Sequence, residues 1–453
     1  MRISTSQIYD NGTLGIQRNQ SALYKLQNQI STGRRVLTPE DDPVAAAQAL
    51  IVTQSKDVNA QHADNQRSAS SQLGLVDSQL NSMVDLLNNV RDRVVQAGNS
   101  GAMTNSDRQA IATELEARLS ELVGIANSQN GAGDYLFSGY QGATLPFAID
   151  GTTRDYVYAG DDGERLLQVS SSRQMAVNVA GSDVFMGIKG GNGTFTTATG
   201  GNVASGGINK GTGVIDMGSV LDQQQWQKSL NVFGWQNKAT PEFEIRFSDV
   251  GGVSYYQLWD ASAAPAVQIS TAPPAAPPAP PPAPQPPNKF TPGMAITLAT
   301  TNPPATTATD FGSQVVIQGQ PANDDTFSIK PSSSQSIFQT MQSLIGTLST
   351  PINSTNFTST EFTNALGAQL KNIDQTFDNV SRVQAIVGTR MAELDSLGDL
   401  SSDLDIQYQS SLSDLQDLDV VKAYSDLTLQ KVNLEAAQKS FVTISGLSLF
   451  NYL

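Results

Sequence analysis

Val383, Val387, Met391, Leu394, Leu397, Leu400, Leu404, Tyr408, Leu412, Leu415, Leu418, Val421, Tyr424 and Leu427 follow one another in steps of three or four, with Ser, Asp, Gln and Asn between them. That spacing lays one narrow apolar stripe along a long helix, and a stripe so narrow holds only against a partner helix. The other end of the chain offers the partner. Ile16, Leu23, Ile30 and Leu37 fall seven apart, with Leu26 at one intermediate seam position,. The fold expected is α+β, with long antiparallel, coiled-coil-like helices from both chain ends and a central β-rich domain. The expected divisions are 1–139, 140–330 and 331–453. Seams of this kind leave apolar surface for neighbouring subunits. The residues expected to carry assembly are Ile16, Leu23, Leu26 and Ile30 from one end, and Leu404, Tyr408, Leu412, Leu415, Leu418, Val421, Leu449 and Phe450 from the other. The pairing is expected to bring Leu23 to Ile30 beside the last four turns before Asn451.

Local signals mark where the helices start and stop. Gly33 closes the first helix, and Thr38-Pro39-Glu40-Asp41-Asp42-Pro43 restarts it, with Asp42 as N-cap and Pro43 at the first helical position,. Leu73, Val76, Leu80, Val84, Leu87, Val90 and Val94 continue the stripe to a break at Gly98–Gly101. A third helix opens at Ser106-Asp107-Arg108-Gln109, which has capping-box spacing, and carries Ile111, Leu115, Leu119, Leu122 and Ile125 on one face,. Further along, Ser334–Leu348 reads as a short helix. Thr360 to about Ser445 reads as one long helix with a break near Gly398.

Between these helical regions the period falls to two. Asp155–Ala159, Arg165–Val169, Met175–Val179 and Glu242–Phe247 alternate as short strands separated by Gly, Asp and Asn turns,. Trp226, Trp235 and Trp259 all fall in this region and are expected in its core. Residues 273–287 hold ten of the 21 prolines, an insert that cannot pair in a sheet and reads as an extended spacer,.

Composition removes most chemistry. With no Cys and His62 as the single histidine, thiol nucleophiles, disulfides, Cys/His zinc sites and a histidine base with a local partner are excluded,. His62 lies in a polar helical stretch and reads as a solvated surface residue. A net charge of −15 speaks against nucleic acid, which needs clustered Lys and Arg,. No apolar run is long enough to span a bilayer, and Met1–Gln7 has no signal-peptide core, which leaves room for a dedicated export system. Gly187–Gly193 lacks the Gly-Lys-Ser/Thr ending of a phosphate loop. Asp41-Asp42, Asp161-Asp162 and Asp324-Asp325 sit at a helix start or in turns, without the alternating ligands of a calcium loop. The acids of the C-terminal helix form its wet face. No catalytic, cofactor or metal site is expected, and the chain does not read as an enzyme.

Three stretches carry a family resemblance. Gln29–Ala45, with its Thr38–Pro43 core, resembles the N-terminal signature of bacterial flagellins and their relatives, in a form with Pro where filament flagellin usually has Ala. Asn130–Tyr140 looks like the helix-to-β junction of the hook–filament junction members of that family. Leu434–Phe441 and Leu447–Leu453 resemble their C-terminal ends. The resemblance covers roughly 1–150 and 325–453, weakens over 156–185, and does not reach 186–320. It implies an exported structural protein of the bacterial flagellum, without a cleaved signal peptide, that forms a homo-oligomeric ring. Implied partners are flagellin, the hook-side junction protein and a cytoplasmic export chaperone. It leaves a minor filament flagellin as the alternative.

Overall fold

A computed structural model describes residues 5–99, 103–269, 288–300, 309–353 and 357–450; the side chains of 5, 6, 8, 236, 309 and 444–450 are not among those described. Residues 273–287, the Pro-rich insert, lie outside it. Seven α-helices run through these residues: α1 (Thr5–Thr32), α2 (Pro43–Ala97), α3 (Asn105–Ala126), α4 (Gln223–Val232), α5 (Ile337–Ser349), α6 (Ser359–Gln416) and α7 (Val420–Phe450). Fifteen short strands fill the stretch from Phe147 to Gln335. The architecture is α+β, as the sequence predicts, with long helices from both chain ends and β structure between.

The chain divides into two compact units. One comprises Met1–Ser68, Gln168–Gln174 and Glu393–Leu453, the other Ala69–Leu167 and Met175–Ala392.

The second unit has a conventional core. Leu73, Val76, Leu80, Leu87, Val90 and Val94 on α2 are buried, as are Ile373, Val380, Val383 and Val387 on α6. The two helices run antiparallel, with Arg91 bonded to Asp374 and Asn81 to Gln384. Thr104, not Ser106, caps α3, in a reciprocal capping box with Asp107,. Asn130–Tyr140 forms a joint. Asn130 Oδ1 accepts from Ala132 N and Asp134 N, both at 2.9 Å, while Phe137 is fully buried edge-on to Phe185.

Five antiparallel strands pair in the order Val267–Gln268, Val253–Asp260, Phe243–Val250, Asp325–Pro331, Phe195–Asn202. A second sheet orders Ala295–Thr300, Thr309–Gln318 and Val214–Ile215, with Ser219–Val220 also on Thr309–Gln318. Phe243, Ile245, Phe327, Ile296, Phe311 and Val315 from the two sheets share one core with Trp226 of α4 and with Trp235. Trp259 departs from expectation. Its strand phase turns it to the opposite face of the sheet, half-buried, where the Arg246 guanidinium lies 4.3 Å from the ring centroid,.

Candidate functional site

The first unit is built differently. Among its described residues the buried apolar side chains are Ala45, Ala49, Val169, Leu394 and Ala423, and three of these five are alanines. Fourteen large apolar residues of the same unit are exposed, from Leu14 and Tyr24 to Val432 and Val442. Water-exposed apolar side chains in such excess over a core mark a surface awaiting a partner.

The terminal helices α1 and α7 do pair antiparallel. The Tyr9 and Phe441 rings meet edge-on at 5.5 Å, and Gln430 Nε2 donates to Asn19 Oδ1 at 3.3 Å. Past the helix ends, Leu418 N donates to Gly33 O and Arg35 N to Gln416 O. This register corrects the expected one. Leu23–Ile30 lies between Asn19, which meets Gln430, and Gly33, which meets Leu418, so it runs alongside the first turns of α7 and not the last four.

The inward face of α7 carries Ala423, Leu427, Gln430, Leu434 and Phe441. On α1, Ile16, Leu23, Leu26 and Ile30 are half-buried. On α6 and the following break, Leu404, Tyr408, Leu412, Leu415 and Leu418 are half-buried as well. Val421 points away and is 79% exposed. The Leu449 and Phe450 side chains lie outside the described residues.

One layer fixes both chain ends. Gly33, at a φ of +70° that suits only residues without a Cβ penalty, closes α1,. Asp42 Oδ1 caps α2 by accepting from Ala45 N at 3.0 Å, with Pro43 following, as the sequence predicts. Opposite, α6 and α7 are separated at Asp417–Asp419, and not at Gly398. A glycine inside a long helix costs only about 1 kcal/mol, so Gly398 is carried through. The break falls where Arg34 pairs with Asp417 and where Asp419 Oδ1 accepts from Lys422 N at 3.0 Å to start α7. Arg35 ties the layer together. Its Nη2 donates to Leu415 O at 2.8 Å and its Nη1 to Asp42 Oδ2 at 3.1 Å. No breaker residue marks 417–419; the only signal is an Asp at N-cap distance from Val420.

Asp41 is the electrostatic pin of this layer. Its carboxylate contacts Lys25 Nζ at 2.6 Å and accepts from Thr38 N at 3.0 Å and Leu37 N at 2.9 Å. Lys25 first, then these backbone donors, hold its pKa down to about 2. Asp42 is also lowered, by Ala45 N first and then by Arg35. Because the folded value lies below the usual carboxylate range near 4, the contribution of Asp41 is fully present above that range and is lost as pH falls toward 2. Carbon-detected NMR titration should show Asp41 as the last carboxylate of the turn to protonate. In Asp41→Asn, the dependence of order at residues 33–42 on pH in that window should shrink to what Asp42 contributes,. A midpoint for Asp41 near 4 would refute the pinning.

His62 is not the solvated residue its polar surroundings imply. Both ring nitrogens are shielded from solvent and have no hydrogen-bond partner. It lines a groove between α2 and α6 of the first unit, closed at one end by the tip of the hairpin Leu166–Ser170/Arg173–Ala176. Asn65 Nδ2 donates to Gln168 O and Gln66 Nε2 to Val169 O, each at 2.7 Å, and Arg173 makes a two-pronged ion pair with Glu393. These contacts join residues far apart in sequence, so no local pattern reveals them.

Among the described residues no helix is long and apolar enough to cross a membrane, and no group of His, Cys, Asp or Glu could hold a metal ion. The arrangement offers apolar helical surface, and its capacity is for association.

Comparison with known proteins agrees with that character. Residues 3–142 match the family described as the bacterial flagellin N-terminal helical region. Flagellar hook-associated protein 3 of Salmonella typhimurium is 36% identical over 188 residues, 42% of this chain and 58% of that protein. The protein of the same name in Escherichia coli is 32% identical over 185 residues, 41% of this chain and 57% of that one. The matched region thus spans less than three fifths of these curated relatives. The crystal structure of the flagellar junction protein FlgL from Legionella pneumophila matches with a TM-score of 0.64 at 26% identity, covering 82% of this chain and 100% of that one.

Proposed function

From this resemblance to flagellar hook-associated protein 3, we propose that the chain is a structural subunit of the bacterial flagellum, forming the junction between the hook-associated ring and the flagellin filament. The observation that carries the reading is the first unit: fourteen exposed large apolar residues against two buried ones, Val169 and Leu394, among its described residues. Helix α7 has apolar residues on every side, and a helix of that kind is normally enclosed. Each large apolar side chain contributes about 1.5–3 kcal/mol when buried. Neighbouring copies, with flagellin on one side and the hook-side junction protein on the other, supply the missing cover. The regions 1–139 and 331–453 then act in assembly, through Ile16, Leu23, Leu26, Ile30, Leu404, Tyr408, Leu412, Leu415, Leu418, Val421, Leu449 and Phe450. Residues 140–330, with the Pro-rich insert, form the β-rich part. The role is structural, not catalytic. Export through the flagellar system with help from a cytoplasmic chaperone belongs to the same reading, since marginal helices at both ends suit passage and capture before assembly.

Amide hydrogen exchange tests the coupling of order to assembly. In the purified monomer, α1 and α7 should exchange quickly while Leu73–Val94 of α2 stays protected, and assembly should slow both terminal helices by at least tenfold. Terminal helices protected in the monomer as strongly as Leu73–Val94 would refute the reading.

A further inference from the structure

We propose that the groove between α2 and α6 receives the outward face of α7 from a second copy of this chain. The inference deepens the assembly reading above by naming the two surfaces that meet.

The groove runs from Gln54 to Gln66 on α2 and from Leu397 to Tyr408 on α6, with Ser170–Ser172 at one end, and encloses about 550 Å³. None of its lining residues is Asp, Glu, Lys or Arg, although the chain carries a net charge of −15. Depletion of charge is what distinguishes the centre of a protein interface from ordinary surface. Its rim is apolar: Val58 is 44% and Leu400 53% exposed. Its floor is polar and unsatisfied. Gln66 is only 5% exposed; its Nε2 donates to Val169 O and to Ser401 Oγ, yet its Oε1 has no partner, and neither has either nitrogen of His62. An uncharged lining that mixes apolar side chains with amides and hydroxyls favours an occupant that is apolar with a few hydroxyl groups,.

The outward face of α7 has that composition. Val421, Tyr424 and Val432 point away from α1 at 79%, 55% and 56% exposure. The Tyr424 hydroxyl supplies the polar group that a polar-floored groove accommodates. The lengths agree as well. Val421 to Val432 spans about 17 Å of helix, and the α2 and α6 walls of the groove span about 18 and 17 Å at 1.5 Å per residue. Groove and stripe are different surfaces, so the contact is head-to-tail, and its repetition generates a ring or helix instead of a closed pair.

The chain has no cysteine, so introduced thiols report single contacts. Full-length copies carrying Val58→Cys and copies carrying Tyr424→Cys are mixed at high concentration and oxidised. A second mixture pairs Val58→Cys with Tyr24→Cys, whose position on α1 is 65% exposed. The mixed disulfide dimer should form at least tenfold more in the first mixture. Equal yields, a larger yield with Tyr24→Cys, or no mixed dimer would overturn the proposal. The outcome does not depend on where the chain sits in the cell, so a failed groove contact leaves the junction reading standing, and a failed junction reading leaves this result interpretable.

Discussion

A strain lacking this chain is expected to build hooks, keep synthesising and exporting flagellin, and lose that flagellin to the culture medium. On the proposed reading, filament subunits of the flagellin type would bring the difficulty proposed for this chain, helices from both ends that are marginal until flanked. The first ring of such subunits needs a platform with matching seams already in place. If this chain is that platform, its removal leaves the hook with nothing onto which the terminal helices of flagellin can fold, so attached filaments and motility disappear together. A minor filament subunit predicts the opposite, attached filaments altered at most in shape. Electron microscopy of the deletion strain with a flagellin blot of the medium separates the two; long attached filaments would remove the junction reading.

The second large effect is expected from charging the seam between the chain ends. Leu26 of α1 and Leu427 of α7 are half-buried on facing sides of the pair, between the Asn19–Gln430 contact and the Gly33–Leu418 contact. Replacing both with Asp places two like charges in an apolar seam. Each desolvated charge costs about 2 kcal/mol or more, so the double variant should fall at least thirtyfold in incorporation into flagella. The second unit should be untouched, because its cores contain neither residue. Its thermal unfolding, followed by fluorescence of the buried Trp226 and Trp235, should be unchanged. Normal incorporation of Leu26→Asp/Leu427→Asp would show that pairing of the ends is not required for assembly.

How much of this was legible in the sequence depended on the range of the signal. The turn after α1 was readable because Gly33, Asp42 and Pro43 act on their own neighbours. The paired break at 417–419 was not, because Asp417-Leu418-Asp419 contains no breaker residue and its geometry is set by Gly33, Arg34 and Arg35, nearly four hundred residues away. Gly398 drew attention as the obvious weak point, yet a single glycine costs too little to stop a helix of 58 residues,. The stripes announced that the ends pair, but a repeat of seven fits several registers equally well. Only specific contacts such as Tyr9 with Phe441 select one,. Trp226 and Trp235 were placed in the core by size alone, whereas Trp259 needed the strand phase, which puts it opposite Glu244 and away from the core. His62 and Gln66 look like wet helix surface until α6 and the hairpin tip close over them. Helix α4 was missed because its Gln-rich sequence, capped by Asp222, shows little apolar repeat beyond Trp226 and Leu230.

Position in the organelle is the most direct test of the proposed role. Isolated flagella labelled with antibody against residues 140–330 of this chain, followed by gold-conjugated second antibody, should carry one narrow band where the hook meets the filament. Label distributed along the filament, or none on the flagellum at all, would contradict it.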